Sequence, residues 1–133
     1  MKKKSVFLIS HSKKITDGIK EMIEEMQINT DVTIHSLGGT ADDMLGSDPL
    51  KVMEAAQQSQ DAAAILVFAD IGSATLSAEM VRDMLDEELQ KKYYLVDASL
   101  VEGAFAAAIT AGVTDDVTQI IKEAKKASVK GWD

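Results

Sequence analysis

The sequence predicts an α/β fold: an open, doubly wound, mainly parallel four-stranded sheet in the order 2-1-3-4, with helices on both faces. Three observations predict it. Apolar runs and helix-periodic stretches alternate four times along the chain. Two of the runs, Val6 to Ile9 and Ala62 to Ala69, are apolar at consecutive positions, as a strand covered on both faces must be. No internal repeat, linker or low-complexity segment interrupts the alternation, so residues 1–133 read as a single domain.

Each element has its own local cause. Val6 to Ile9 is β-branched and aromatic, and follows Lys2-Lys3-Lys4, read as a basic lead-in. Ile15, Ile19, Met22, Ile23 and Met26 then recur at helical spacing, with Ser12 placed to cap them. Asp31 to Leu37 alternates and reads as a second strand, nearer an edge. Gly38 to Pro49 is turn-rich, and Asp48-Pro49 starts a helix that runs to about Ser59. Asp70-Ile71-Gly72-Ser73 ends the most apolar run, and one long helix is expected from there to about Gln90. Tyr93 to Val96 reads as the fourth strand and Val101 to Ala111 as an alanine-rich helix closed by Gly112. Asp115 or Asp116 caps a last helix carrying Val117, Ile120, Ile121 and Ala124.

Composition removes several function classes. The 133 residues are 46% hydrophobic and 27% charged, ordinary proportions for a globular protein. A formal charge of −8 opposes binding to nucleic acid or to an anionic membrane surface, both of which reward clustered Lys and Arg. With no cysteine there is neither a disulfide nor a thiolate zinc site, in keeping with a cytoplasmic location. No segment approaches the roughly 20 apolar residues of a membrane span, and Val6 to Ile9 is too short for a signal-peptide core.

An open parallel sheet binds its ligands beyond the carboxyl ends of the strands, where strand order reverses. In the order 2-1-3-4 that point lies between strands one and three. Ser10-His11-Ser12 and Asp70-Ile71-Gly72-Ser73 leave those strands. A lone histidine at a strand end is ordinarily a water-facing side chain. His11 is set apart by its place at the switch point, its small neighbours, and a carboxylate within reach on the adjoining strand. A neutral imidazole is a competent nucleophile when its other nitrogen is held as a donor, and Asp70 is placed to hold it. Asp70 also suits a helix cap, and the two roles are compatible. Ser12 and Gly72-Ser73 open two helices whose first amides lack internal partners, a setting for an anion such as a phosphoryl group. Gly38-Gly39-Thr40 is either a third amide-rich loop at this pocket or a plain surface turn.

Other chemistries lack their residues. There is no G-x-x-x-x-G-K-[ST] and no G-x-G-x-x-G after the first strand, so nucleotide and dinucleotide sites are not expected. Asp42-Asp43 and Asp115-Asp116 read as a loop and a helix cap, and no metal or cofactor is expected. A receiver domain would carry acids where Ser10-His11-Ser12 stands. Neither Ser10 nor Ser12 lies in a G-x-S-x-G elbow. His35 reads as an exposed side chain on the edge strand.

Ser10-His11-Ser12, Gly46-Ser47-Asp48 ahead of Lys51-Val52-Met53-Glu54-Ala55, the stretch Asp70 to Glu79 (DIGSATLSAE), and Leu100-Val101-Glu102-Gly103 together resemble the mannose-type IIA domains of the phosphoenolpyruvate-dependent phosphotransferase system. Gly72-Ser73-Ala74, in place of the Gly-Gly-Ser/Thr-Pro turn of the sugar-transporter members, favours the branch serving dihydroxyacetone kinase. The resemblance implies that His11 accepts phosphate from the histidine phosphocarrier HPr and passes it to ADP on the kinase's nucleotide subunit. It also implies that Asp70 orients the ring, that Ser12, Gly39, Thr40, Gly72 and Ser73 line the phosphoryl pocket, and that the chain is a homodimer. Some relatives carry fused HPr-like and enzyme I-like domains; 133 residues leave no room for them, so a separate HPr is expected. A IIA domain of a mannose-type sugar permease and a non-catalytic anion-binding module are the alternatives.

Overall fold

The computed structural model describes residues 1–132. Four strands, β1 (Lys4–Ile9), β2 (Val32–Ser36), β3 (Ala64–Ala69) and β4 (Tyr93–Leu95), form one parallel sheet in the order β2-β1-β3-β4. The helices are α1 (Lys13–Met26), α2 (Pro49–Gln58), α3 (Ser73–Met84), α4 (Glu87–Gln90), α5 (Leu100–Ala111) and α6 (Val117–Ala127). The expected strand order is the observed one.

Central β1 pairs Val6 with Ile34 on one side and Leu66 on the other. Its side chains alternate between two cores. Val6 and Leu8 pack with Ile19 and Ile23 of α1, Leu100 and Ala104 of α5, and Ile120 and Ala124 of α6. Phe7 and Ile9 pack with Val52 and Ala56 of α2, Ala78 and Val81 of α3, and Leu85. All four β1 residues from Val6 to Ile9 are wholly inaccessible, which is why the run is apolar at every position. Passing left from β1 to β2 uses a helix on one face; passing right to β3 and β4 uses helices on the other. Crossovers of one hand dictate that division.

Three local readings are corrected. The strand begins at Lys4, whose side chain is 1% exposed. Its Nζ donates to the Ala111 carbonyl at the end of α5 (2.9 Å) and to Asp115 Oδ1 (2.7 Å). The aliphatic stem is buried while the ammonium is satisfied by a helix C-terminus and a carboxylate, so this lysine belongs to the core. The long helix after Ser73 is two: Leu85 turns extended, and the Asp86 side chain accepts the Leu89 N–H (2.9 Å), capping α4. Leu85 and Leu89 are both buried, so the apolar spacing runs unbroken across the interruption. His35 is half-buried, opposite Phe7 in the register, with the rings edge to face at 5.0 Å between centroids. Of the two candidates for the last cap, Asp116 fills it, accepting from Gln119 N.

Burial, aided by the charge of Lys20, holds the His35 pKa below its ordinary value of 6.5. Below that value the unfolded chain takes up a proton that the folded chain refuses, so stability falls as pH drops. We expect the melting temperature to fall more between pH 7.5 and 5.5 in the wild type than in His35→Phe, measured by calorimetry. Equal losses would show that His35 charges freely in the fold.

Candidate active site

Ile9 and Ala69 are register partners at the ends of β1 and β3, and the Asp70 N–H donates to the Ile9 carbonyl (3.1 Å), extending the ladder by one step. The chain therefore delivers Ser10-His11 and Asp70 side by side. His11 Nδ1 lies 3.4 Å from Asp70 Oδ1, with the two side chains 35% and 22% exposed.

Asp70 is held by more than the ring. Ser10 Oγ donates to Oδ2 at 2.6 Å, the His11 N–H approaches the same oxygen at 3.4 Å, and the Ile71 N–H donates to Oδ1 at 2.7 Å. Partial burial pushes the carboxyl pKa up, but the Ser10 hydroxyl, the two backbone N–H groups and the ring together outweigh it, leaving the pKa below the usual carboxylate value. An ionised carboxylate only accepts hydrogen bonds. Nδ1 consequently carries the ring hydrogen, and Nε2 carries the lone pair. Ser73 Oγ stands 2.7 Å from Nε2 and donates to it.

Gly72 makes this meeting feasible. Its backbone (φ 52°, ψ −116°) lies in a region closed to L side chains, and a Cβ there would sit 3.9 Å from His11 Cε1. The turn sets Ser73 at the first position of α3 against the ring. Among the described residues the N–H groups of Gly72 and Ser73 have no acceptor.

The remaining expected pocket residues are engaged elsewhere. Ser12 caps α1 by accepting from Ile15 N (3.4 Å), and its own N–H donates to Ser10 Oγ. The Gly39 N–H donates to the Ser10 carbonyl (3.0 Å), so Gly39 meets the site through the backbone. Thr40 uses its N–H on the Met44 carbonyl, and its hydroxyl accepts from Met44 N. A cleft of about 360 Å³ opens past Asp70, lined by Thr75, Glu79, Asp97 and Ala98 among others. Its charged walls are acidic, which does not suit a phosphoryl group. Among the described residues no cluster of His, Cys, Asp or Glu is arranged to hold a metal, and no helix is long and apolar enough to cross a membrane.

Two residues escaped the sequence reading. Ser10, expected only as one of the small neighbours of His11, is wholly buried and fixes the carboxylate. Ser47, on the loop before α2, reaches Ser73 and Ser77. Only its place in the Gly46-Ser47-Asp48 triplet could have pointed to it.

A family model described as EIIA-man, PTS system fructose IIA component, matches residues 5–121. The chain belongs to this family. It is 45% identical over 119 residues, 90% of its length and 94% of the relative's, to the Listeria innocua phosphoryl donor subunit DhaM of PEP-dependent dihydroxyacetone kinase 2. To the DhaM of Escherichia coli it is 35% identical over 92% of its length, yet it spans only 26% of that longer relative. A crystal structure of EF1359, a protein of unknown function, superposes with a TM-score of 0.92 at 59% identity, covering 98% of this chain and 99% of that one. The recognition of the mannose-type IIA family from sequence is thereby borne out.

The geometry of this IIA domain sets opposite expectations for two glycines. Gly72→Ala must force a strained backbone, at a cost of about 1–3 kcal/mol. Gly18→Ala in α1 meets nothing within 4 Å and gains helix propensity, about 0.5–1 kcal/mol. Melting curves should move down for the first and up for the second. A neutral Gly72→Ala would mean the turn tolerates another conformation.

Proposed function

We propose that the chain is the phosphohistidine-carrying subunit of a phosphoenolpyruvate-dependent dihydroxyacetone kinase. It takes phosphate from HPr onto His11 and passes it to ADP bound on the kinase's nucleotide subunit. The observation that carries this reading is the ordered row Asp70–His11–Ser73, which leaves Nε2 without hydrogen, its lone pair covered only by the Ser73 hydroxyl. The names of the curated relatives support the choice of pathway over a sugar permease.

In this reading Nε2 attacks the donor's phosphorus as the donor's own N–P bond breaks and its ring recovers the electron pair. The His11 ring gains positive charge, which the Asp70 carboxylate stabilises through Nδ1–H. The Ser73 hydroxyl turns from Nε2 to a phosphoryl oxygen, and the free Gly72 and Ser73 amides at the start of α3 offer further donors. The same interactions run in reverse when a β-phosphate oxygen of ADP attacks, so the carrier stores the group without hydrolysing it. The row also has the layout of a hydrolytic triad. However, the N–H following the serine, which would stabilise an oxyanion, is spent on the Ile71 carbonyl (3.1 Å). A cytoplasmic homodimer fits the reading, and the exposed Leu76, Met80 and Met84, one turn apart on α3, favour a covered face.

The test is incubation with labelled phosphoenolpyruvate, enzyme I and HPr, followed by a chase with the ADP-loaded nucleotide subunit. Acid-labile label should appear on the wild type and leave as ATP. His11→Ala should take none while keeping its melting temperature. Asp70→Asn should transfer roughly 10²–10⁴-fold more slowly, the range for a positioned acid–base partner. A label that survives in His11→Ala would remove the assignment.

A further inference from the structure

We propose that Ser47 is a positioning residue for the phosphoryl transfer: it aims the Ser73 hydroxyl at Nε2 from a separate loop. The proposal rests on the reading of His11 as the phosphoryl acceptor. Ser47 Oγ lies 3.3 Å from Ser73 Oγ, 3.1 Å from the Ser73 carbonyl and 2.9 Å from Ser77 Oγ. Ser73 Oγ in turn lies 2.7 Å from His11 Nε2.

The direction of this chain is set from its far end. Asp70 accepts from Nδ1, so Nε2 must accept, and the single hydroxyl hydrogen of Ser73 is spent on it. Ser73 Oγ can then only accept from Ser47, whose hydrogen it shares with the Ser73 carbonyl. Ser77, a buried residue of α3, holds Ser47 Oγ from the other side at 2.9 Å, where either hydroxyl can donate. Three groups, Ser47, Ser73 and Nε2, therefore point one way. Each donor polarises the next, so the chain strengthens the last bond beyond what an isolated hydroxyl gives.

The loop carrying Ser47 is tied to the site independently. The Gly46 N–H donates to the His11 carbonyl at 2.8 Å, fixing the loop to the backbone of the nucleophile itself. Gly46 has φ 134°, and a Cβ there would press on Thr40 Cγ2 at 3.0 Å. Asp48, next in sequence, caps α2 through the Leu50 N–H (2.9 Å). The Gly46-Ser47-Asp48 triplet thus joins the nucleophile, the first residue of α3 and the start of α2 within three positions.

When a phosphoryl group occupies Nε2, Ser73 loses its acceptor and must donate to a phosphoryl oxygen instead. Ser47 limits where that hydroxyl can swing, since it holds both Ser73 Oγ and the Ser73 carbonyl. Without it, the Ser73 side chain is free to take rotamers that leave the pocket. At metal sites, loss of an outer partner that orients a ligand typically costs about 10–100-fold, and an effect toward the lower end of that range is expected here.

The experiment compares wild type, Ser47→Ala, Ser73→Ala and the double variant. We expect Ser47→Ala to slow phosphate uptake from phosphorylated HPr by about tenfold with an unchanged melting temperature. In the Ser73→Ala background the same change should cost less than about twofold, because a residue acting only through Ser73 has nothing left to position. The ¹⁵N resonance of His11 Nε2 in the unphosphorylated Ser47→Ala protein should move downfield, as the donor to that nitrogen weakens. A wild-type rate, a full further tenfold loss in the double variant, or an unmoved Nε2 resonance would each overturn the proposal. The resonance is read without any phosphate donor, so it decides the point even if HPr does not phosphorylate His11, an outcome that would sink the parent reading instead.

Discussion

An ionised carboxylate can accept hydrogen bonds and cannot donate one, and that one-way property at Asp70 sets the direction of the row from Ser10 through His11 to Ser73. Ser10, His11 and Ile71 donate to it, which keeps it ionised despite partial burial. From there the order is forced: hydrogen on Nδ1, lone pair on Nε2, the Ser73 hydroxyl turned inward. A free imidazole exchanges its hydrogen between both nitrogens. Here the fold selects one, and so selects which atom can act as a nucleophile.

The carboxylate and the ring meet because the sheet reverses its winding between β1 and β3. Two neighbouring parallel strands end in register, and their next residues must emerge together at the edge. No ligand or loop rearrangement is required to assemble the pair. The apolar runs that make these strands fully buried are therefore also what aligns the chemistry, since they fix the register that ends β1 at Ile9 beside Ala69 of β3. Gly72 adds the one conformation an L residue cannot supply, and with it α3 begins against the ring.

Much of this was legible in the sequence because it depends on patterns of single residues. Val6 to Ile9 could only be a doubly covered strand, and the alternation of elements led to the strand order. His11 and Asp70 followed from that order by position. What stayed hidden depends on contacts between residues distant in sequence. Lys4 reads as a basic leader because nothing nearby reveals that Ala111 and Asp115 will satisfy its ammonium. His35 looks exposed until Phe7 is placed opposite it. The break at Leu85 is masked because both flanking leucines keep helical spacing, leaving Asp86 as the sole hint. Ser10 was read as small when its hydroxyl is what matters. Ser47 lies 26 residues from Ser73, and no periodicity connects them.

The central claim is that Asp70 fixes the ring so that Nε2 is the reacting nitrogen. Its most direct test is a two-bond ¹H–¹⁵N correlation spectrum of His11 at neutral pH, before and after phosphorylation. The geometry predicts hydrogen on Nδ1 and none on Nε2 before, and the proposed function predicts phosphorus coupled to Nε2 after. Hydrogen found on Nε2, or phosphorus coupled to Nδ1, would contradict the account.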